Sequence, residues 1–487
     1  MVGIPGQTLS ILDPGLGLVE LSDNAFVFLG VSQKGSTSEV KSFSKPQQVE
    51  AEYGDGPLTQ AMCHALLVAG GPVFGCRLSG TVAGTSTSVT KTAVGSSTGT
   101  VTLAGAPYDR YQAILTIVAT GTLGTATFKY SLDNGRTESE VITVPSGGTY
   151  VVPNTNITLT FTPGAGAVFF EAGDVHTWSS TAPHYSSTEL AAGVTAINAY
   201  LSATTGFAFD AIILLGRNAT GAGAATLFGA LATHMTAFET AYQYMGAIMD
   251  GGSGDSTTNA KSAFASVTSS RVAIGYGDAI VASGKPFQGY SAPLMPAIVS
   301  MAARAASDLI STDPSRVASG ALTGVTGITH DEYLTEEMDA ARFSTLRTFP
   351  LRQGYFITNL RMKSAIGSDY LYWQHRRIMD VMCRTVVEAQ TQFVSAGFAT
   401  NSNGTIEEGE AKRIEAIVSA KLSAQVIDPI DAEGRQGHIS AFKYRVDREN
   451  NFLATNTLQS SLAARPKGYV KDIVTTIGYA ADVGEAA

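Results

Sequence analysis

The sequence is poor in charged residues. Only 15% of its 487 residues are Asp, Glu, Lys or Arg, against about 25% in an ordinary globular protein. A chain of this length can bury a large core, and it is long enough for roughly three domains. The low charge indicates either that much of the surface meets other protein or that the chain is β-rich with polar, uncharged faces.

The sequence also lacks an excess of positive charge. Its formal net charge is −9, which disfavours nucleic-acid binding. The first basic residue is Lys34, so we expect no secretory signal with a basic amino-terminal region. No run of about 18 uncharged apolar residues occurs, and we expect no membrane span.

Cysteine and histidine are sparse. The three cysteines, Cys63, Cys76 and Cys383, are odd in number and far apart, which favours reduced thiols over a disulfide framework. The seven histidines show no metal-ligand spacing, and no G-x-S-x-G nucleophile motif occurs. We therefore predict no catalytic, metal-binding or cofactor-binding residue. His375, beside Arg376 and Arg377, is interpreted as part of a solvated or interface face of a charged helix.

Glycine-containing loops were tested as phosphate sites. Gly54 and Gly56 open a helix, but Thr59 stands where a dinucleotide fingerprint needs its third glycine. The loops at residues 216–221 and 251–254 follow predicted strands, where α/β proteins bind ligands. The first lacks the Lys-Ser/Thr that completes a phosphate loop. Flexible loops explain both segments better.

Residues 25–78 form the segment around which the chain is organised. An uninterrupted apolar run at residues 25–31 predicts a strand buried on both faces. Pro57 suits a helix start, and the Gly-Gly-Pro at residues 70–72 ends that helix before a second apolar run at residues 73–78. The pattern predicts a strand, a crossover helix and a parallel strand.

The composition changes after residue 80. Residues 80–185 are rich in Ser, Thr, Gly and Val, with alternating apolar residues that predict strands. The sequence Asp133-Asn134-Gly135 is a hairpin signal. We interpret this segment as an inserted all-β domain, either a spacer or a surface module with a lectin-like role.

From residue 186 the pattern returns to α/β. Apolar strands are predicted at residues 207–215, 244–250 and 271–276, separated by helices at 190–201, 220–241 and 256–264, with a further helix at 293–309. The last third favours two long helices, at 370–395 and 406–424, and alternating strands at 442–446 and 469–477.

The predicted fold class is therefore multidomain α/β and α+β, with a discontinuous core built from amino- and carboxyl-terminal segments. The expected divisions are an extended arm at 1–24, the first part of an α/β domain at 25–80, an inserted β-rich outward domain at 81–185, the rest of the α/β domain at 186–330, a carboxyl-terminal domain at 331–479 and a tail at 480–487.

Several of these segments, taken in order, resemble the contractile phage tail sheath family. The matching stretches are residues 26–30, 34–35, 53–58 and 70–77 in the amino-terminal core, then 354–361 and 369–380 in the last third. Two details depart from the family pattern. Residues 355–361 occupy the place of a characteristic strand but differ from its motif, and residues 398–401 stand near where the family often has Phe-Glu-Pro-Asn after the long helix. The resemblance covers about the first 78 and the last 150 residues, and the middle is where sheaths vary.

The resemblance implies a structural role without catalysis or cofactor. Sheath subunits form stacked hexameric rings around a tail tube, and their contraction drives the tube through a target envelope. The implied partners are other copies of the chain, the tube protein, and the baseplate and tail terminator proteins, in a virion tail made in the host cytoplasm. A phage, a tailocin or another injection system would fit equally.

The resemblance also implies candidate sites. Terminal arms that add strands to neighbouring subunits would use Leu16 and Leu18 at one end and Tyr469, Val470, Ile473 and Ile477 at the other. A carboxyl-terminal inner domain would contact the tube through the start of the predicted helix at residues 406–424, with candidates Glu407, Glu408, Glu410, Lys412 and Arg413. The alternative is that these acidic residues only cap that helix.

Two other classes of protein remain open at this stage. A β-rich surface adhesin would be expected to carry an export signal. A nucleotide-binding α/β enzyme would be expected to show ligand binding or turnover as a monomer.

Overall fold

A computed structural model describes residues 24–165, 169–204, 206–216, 220–252 and 254–475. The chain folds into two compact units, one ending at Arg384 and the other beginning at Thr385. The boundary predicted at residue 331 falls inside the first unit, and the finer domain divisions stay predictions.

Strands are numbered in chain order. They are β1 (Phe26–Gly30), β2 (Val40–Phe43), β3 (Val73–Arg77), β4 (Thr90–Thr92), β5 (Thr100–Ala104), β6 (Gln112–Ala119), β7 (Thr127–Ser131), β8 (Ile142–Thr143), β9 (Thr149–Val152), β10 (Ile157–Thr162), β11 (Val175–Ser179), β12 (Ala211–Leu214), β13 (Gly246–Asp250), β14 (Val272–Gly275), β15 (Asp278–Val281), β16 (Leu294–Pro296), β17 (Val325–Ile328), β18 (Leu346–Phe349), β19 (Arg352–Ile357), β20 (Ala441–Val446) and β21 (Ser460–Arg465).

Helices are numbered in the same way. They are α1 (Pro46–Tyr53), α2 (Pro57–Ala69), α3 (Ser187–Ala203), α4 (Gly221–Thr240), α5 (Thr257–Ala263), α6 (Ile298–Ser307), α7 (Trp373–Thr391), α8 (Glu408–Val426) and α9 (Phe452–Thr455). The predicted α/β alternation from residue 186 is confirmed by α3 to α6 and β12 to β14, with ends shifted by a few residues.

The central element of the first unit is a sheet in the order β14-β13-β12-β1-β3-β2. Its strands are parallel except β2, which runs antiparallel to β3. The parallel pairing of β1 with β3, in register Val27 to Phe74, confirms the strand–helix–strand prediction. Sequence analysis missed β2 and α1, which lie in the polar connection before Pro57.

The buried run of β1 supplies two cores. Val27 and Leu29 pack into a core with side chains of α3, α4 and α5, whereas Phe26 and Phe28 pack into a second core with α1, α2 and α6. Successive side chains of a strand point to opposite faces of its sheet. A strand covered by helices on both sides must therefore be apolar at every position.

The β insert, defined as residues 90–179 from β4 to β11, has its own core. It contains the antiparallel sheets β5-β10-β9 and β4-β11-β6-β7-β8, which bury Phe128, Phe161 and Trp178 among others. Asn134 and Gly135 have φ of 62° and 78°, so the predicted turn forms. It lies within the long connection between β7 and β8 rather than at a two-residue hairpin.

That turn attaches the β insert to the rest of the first unit. Asp133 accepts hydrogen bonds from the backbone N–H groups of Ser291 and Ala292 at 3.1 and 3.0 Å. Burial alone would raise its pKa, but bonds from Thr137, Ala292 and Ser131 hold the pKa of Asp133 below its ordinary value. The carboxylate thus stabilises this junction when it is ionised.

In the second unit, α8 packs on the two-stranded sheet of β20 and β21. Ile414, Val418 and Leu422 of α8 are fully buried. Tyr444 and Val446 of β20 are also buried, with 5% and 2% of their surface exposed. The predicted long helices are confirmed as α7 and α8. The predicted strand at 442–446 is confirmed as β20.

Candidate assembly surfaces

A buried ion cluster joins the start of α7 to the central sheet. Asp380 accepts hydrogen bonds from Arg271 Nη1 at 3.0 and 3.2 Å and from Arg376 Nε at 2.9 Å. Arg271 also donates to Glu239 at 2.8 Å and to the Met245 carbonyl at 2.9 Å. Arg271, Arg376 and Asp380 are each at most 4% exposed.

The interpretation of this helix face as solvated or interfacial is therefore wrong for Arg376, whose charge is neutralised by Asp380 inside the unit, and for Arg377, which is also only 4% exposed. Burial by itself would lower the pKa of Arg271, but Glu239 and Asp380 hold it above its ordinary value. The arginines can be buried because a buried charge is tolerated when it is paired and fully hydrogen-bonded. His375, in contrast, is only half-buried.

Arg377 makes a second set of contacts on the same turn of α7. Its Nη1 donates to the carbonyls of Ala305 and Asp308, at 3.1 and 3.3 Å, at the end of α6. A cation is favourable there because the carboxyl end of a helix carries partial negative charge. Arg377 also bonds to the side chain of Asn24. The residue at the root of the amino-terminal segment is thus fixed to α6 and α7.

The β20–β21 hairpin of the second unit is paired only with itself among the described residues. Six residue pairs join the two strands in antiparallel register, from Ala441 with Arg465 to Val446 with Ser460. The backbone N–H of Asp447 donates to the Gln459 carbonyl at 2.8 Å. Since bonded and non-bonded pairs alternate, the N–H groups of Leu462 and Ala464 point away from β20, and β21 presents an open edge.

The predicted strand at residues 469–477 is not found within the described part of this single chain. Residues 466–475 are in neither helix nor strand, and the last strand is β21, in which no apolar alternation is visible. Val470, Ile473 and Val474 are 77%, 79% and 89% exposed. The other proposed arm residues, Leu16, Leu18 and Ile477, lie outside the described residues.

The structure brings together the candidate tube-contact residues at the start of α8. Glu407 occupies the N-cap position but its side chain makes no capping hydrogen bond. Glu410 accepts from Arg413 at 2.8 and 3.0 Å, and Lys412 lies 3.4 Å from Glu408. Capping alone therefore does not describe these residues.

Arg448 completes this charged surface, and sequence analysis missed it. Its Nε donates to Glu408 at 3.0 Å, and its guanidinium also binds Glu415. Hydrogen bonding to Arg448 holds the pKa of Glu408 below its ordinary value. The side chains of Lys412 and Arg413 are 70% and 52% exposed, so their ammonium and guanidinium groups are available to a partner.

None of the three cysteines forms a disulfide within the described residues. Cys63 and Cys76 are buried and unpaired, and Cys383 is partly buried. Burial raises the pKa of both Cys63 and Cys76 to about 12. The reduced state of all three thiols stays a prediction. In the part of the chain that the structure describes, no helix is long and apolar enough to cross a membrane.

A family model supplies the classification. Residues 5–361 match the model of the DUF2586 N-terminal domain. The chain belongs to the DUF2586 family. No curated protein matches its sequence.

Solved structures share the fold of this DUF2586 chain along nearly its whole length. A chain of the anti-feeding prophage baseplate has 12% sequence identity and a TM-score of 0.52, covering 99% of this chain and 100% of its own. A chain of the contracted anti-feeding prophage helical sheath has 12% identity and a TM-score of 0.51, with coverage of 99% and 100%.

A third structure comes from PVC, an extracellular contractile injection system whose sheath complex was solved in the contracted state. It has 10% identity and a TM-score of 0.51, and it covers 99% of each chain. The resemblance to contractile sheath proteins is thus confirmed at the level of the fold, and so is the predicted mixture of α/β and α+β architecture.

Proposed function

We propose that this protein is a structural subunit of a contractile tail sheath, without catalytic activity. Copies would polymerise as stacked hexameric rings around a tail tube and contract to drive that tube through a target envelope. The observation that carries the proposal is the fold shared with contracted sheath chains over 99% of the sequence. Its further partners would be the baseplate and tail terminator proteins, in the tail of a particle.

Strand addition is the proposed link between subunits. The open edge of β21 would accept a strand from a neighbour, and the exposed apolar residues near Val470 suit a donated strand. An arm that makes about five backbone hydrogen bonds contributes roughly 1 kcal/mol for each of them, so single links are weak and a lattice of them is strong. Pairing would also remove an edge that otherwise invites aggregation.

The substitution Ala464→Pro tests this edge. It removes an N–H that points away from β20, so we expect the hairpin to persist and polymerisation to fall sharply. Sedimentation of assembled protein and negative-stain microscopy would measure the effect. Ala464→Gly is the matched control, because it removes the side chain and keeps the N–H, and it should polymerise. Normal polymers from the proline variant would rule out β21 as the accepting edge.

The start of α8 is the proposed tube contact. Lys412 and Arg413 present exposed positive charge beside Glu408 and Glu410, and an acidic patch on the tube would complement them. The pairing energy of an exposed charge is about 0.2–1 kcal/mol, but many subunits make the same contact.

Reversing both charges, with Lys412→Glu and Arg413→Glu, should weaken attachment to tubes and leave the monomer folded. The measurement is the fraction of purified tubes that become sheathed. Lys421→Glu is the control, since Lys421 is 42% exposed on the same helix and, among the described residues, pairs with Glu388 on the surface of this unit. Equal attachment by the double variant and the control would remove α8 from the tube interface.

Electron microscopy of the purified protein tests the whole proposal. Long, hollow, helically striated tubes would support it, and dispersed monomers at all concentrations would contradict it.

A further inference from the structure

A partly open pocket lies at the carboxyl end of the central sheet, where the strand order changes direction. From β1 the chain proceeds to β3 on one side, and β12 to β14 extend the sheet on the other side. The pocket, of about 260 Å³, is lined by Leu215 directly after β12 and by Pro57 at the start of α2. Ligands of open α/β sheets bind at such a reversal.

The opposite wall comes from the β insert, from the segment that follows it, and from β16 and the start of α6. Asp109 and Arg110 lie between β5 and β6, and Leu294, Met295 and Val299 complete an apolar wall. A concave pocket with a mainly apolar surface and several polar side chains is a common form of small-molecule site. A cavity of about 150 Å³ can hold benzene, so this pocket has room for a ring with a short substituent.

Most polar side chains in the wall already have partners. Gln60 donates to the Lys285 carbonyl at 3.2 Å and accepts from Ser283 at 2.8 Å. The Ser180 hydroxyl donates to the Asp109 carbonyl at 3.0 Å. Arg110 pairs with Asp278 at 2.9 Å. These groups leave little demand for a polar ligand at their positions.

Asp109 differs from its neighbours. Its carboxylate accepts the Tyr290 hydroxyl at 3.2 Å and the N–H of Arg110 at 2.7 Å, and within the described residues no Lys, Arg or His side chain forms an ion pair with it. Charged O–H···O⁻ bonds are usually 2.5–2.7 Å, so the Tyr290 contact is long. Burial raises the pKa of Asp109 to about 7, although its hydrogen bonds and the nearby charge of Arg110 oppose the shift.

A buried carboxylate without a direct ion-pair partner is costly, and a cationic ligand in contact with it would compensate for that cost. We propose that this pocket binds a small apolar molecule that carries one primary ammonium group, with the ammonium on Asp109 and the apolar part against Leu215, Met295 and Val299. A phosphate or carboxylate ligand is disfavoured by the Asp109 charge. The site is independent of the proposed assembly surfaces.

Benzylamine, benzyl alcohol and benzoate are suitable probes because they share a ring and differ in the polar group. A primary amine has a pKa of about 10, so benzylamine is a cation at neutral pH. Ligand-observed NMR on the full chain should show benzylamine binding about tenfold more tightly than benzyl alcohol, and no binding of benzoate.

Two variants assign the preference to the pocket. Asp109→Asn should reduce the preference for the amine over the alcohol to about twofold or less. Leu294→Trp, which fills the pocket from its half-buried wall, should abolish binding of both. Equal affinity of wild-type protein for amine and alcohol, tighter binding of benzoate, or no binding of benzylamine at about 10 mM would overturn the proposal without any variant.

Discussion

Deleting Tyr469 and every residue after it is expected to abolish polymerisation and to leave the monomer folded. The described residues after Arg465 contribute no helix or strand, and Val470, Ile473 and Val474 are largely exposed. Their removal should therefore cost the monomer little. In a polymer, each of these side chains would gain about 1.5–3 kcal/mol on full burial, in addition to the backbone hydrogen bonds of a donated strand.

Sedimentation and negative-stain microscopy would measure the loss of polymer, and the emission of the buried Trp373 would report that the monomer is intact. A shorter deletion, from Ala481 onward, is the control, and its effect should be smaller because that tail has no strand pattern. Wild-type polymers from the longer deletion would reject the carboxyl-terminal arm.

Replacing Asp380 by Ala is expected to destabilise the first unit by about 3–5 kcal/mol, the usual cost of removing one partner from a buried ion pair. The substitution leaves the guanidinium groups of Arg271 and Arg376 with a single carboxylate, Glu239, on the Arg271 side. Urea denaturation followed by tryptophan fluorescence would measure the change.

Glu138→Ala provides the matched control for this prediction. Glu138 pairs with Lys129 at 2.6 Å, but the two side chains are 50% and 32% exposed. Exposed pairs contribute about 0–1 kcal/mol, so the control should barely change the midpoint. Similar midpoints for the two variants would show that Asp380 does not anchor α7.

The central sheet could be predicted from the sequence because its signals are local. Apolar runs ended by Gly and Pro give β1 and β3, and Pro57 with the Gly-Gly-Pro at residues 70–72 gives α2. What could not be predicted is which core each residue of β1 enters. A fully apolar run has no alternation, so the separate placement of Phe28 and Leu29 depends on the helices that cover the two faces.

The arginines of α7 show why local reasoning failed at the ion cluster. Arg376 and Arg377 are adjacent charged residues on a helix, and the usual expectation for such residues is exposure. Arg376 has its acceptor, Asp380, four residues away on the same helix. The groups that complete the burial are distant in sequence, because Arg271 also binds Asp380 and the carbonyl acceptors of Arg377 lie at the end of α6. Burial became acceptable only because folding brought those acceptors together.

The sequence by itself determined that residues 469–475 suit a strand, and that residues 25–78 form a strand–helix–strand unit. Only the tertiary structure decided that β20 pairs with β21 and that residues 469–475 pair with no strand in the described part of the same chain. The reason is physical: alternating side chains fit a segment to a sheet face, but backbone hydrogen bonds need a partner edge. Which edge is available depends on the rest of the fold and, in our proposal, on the next subunit.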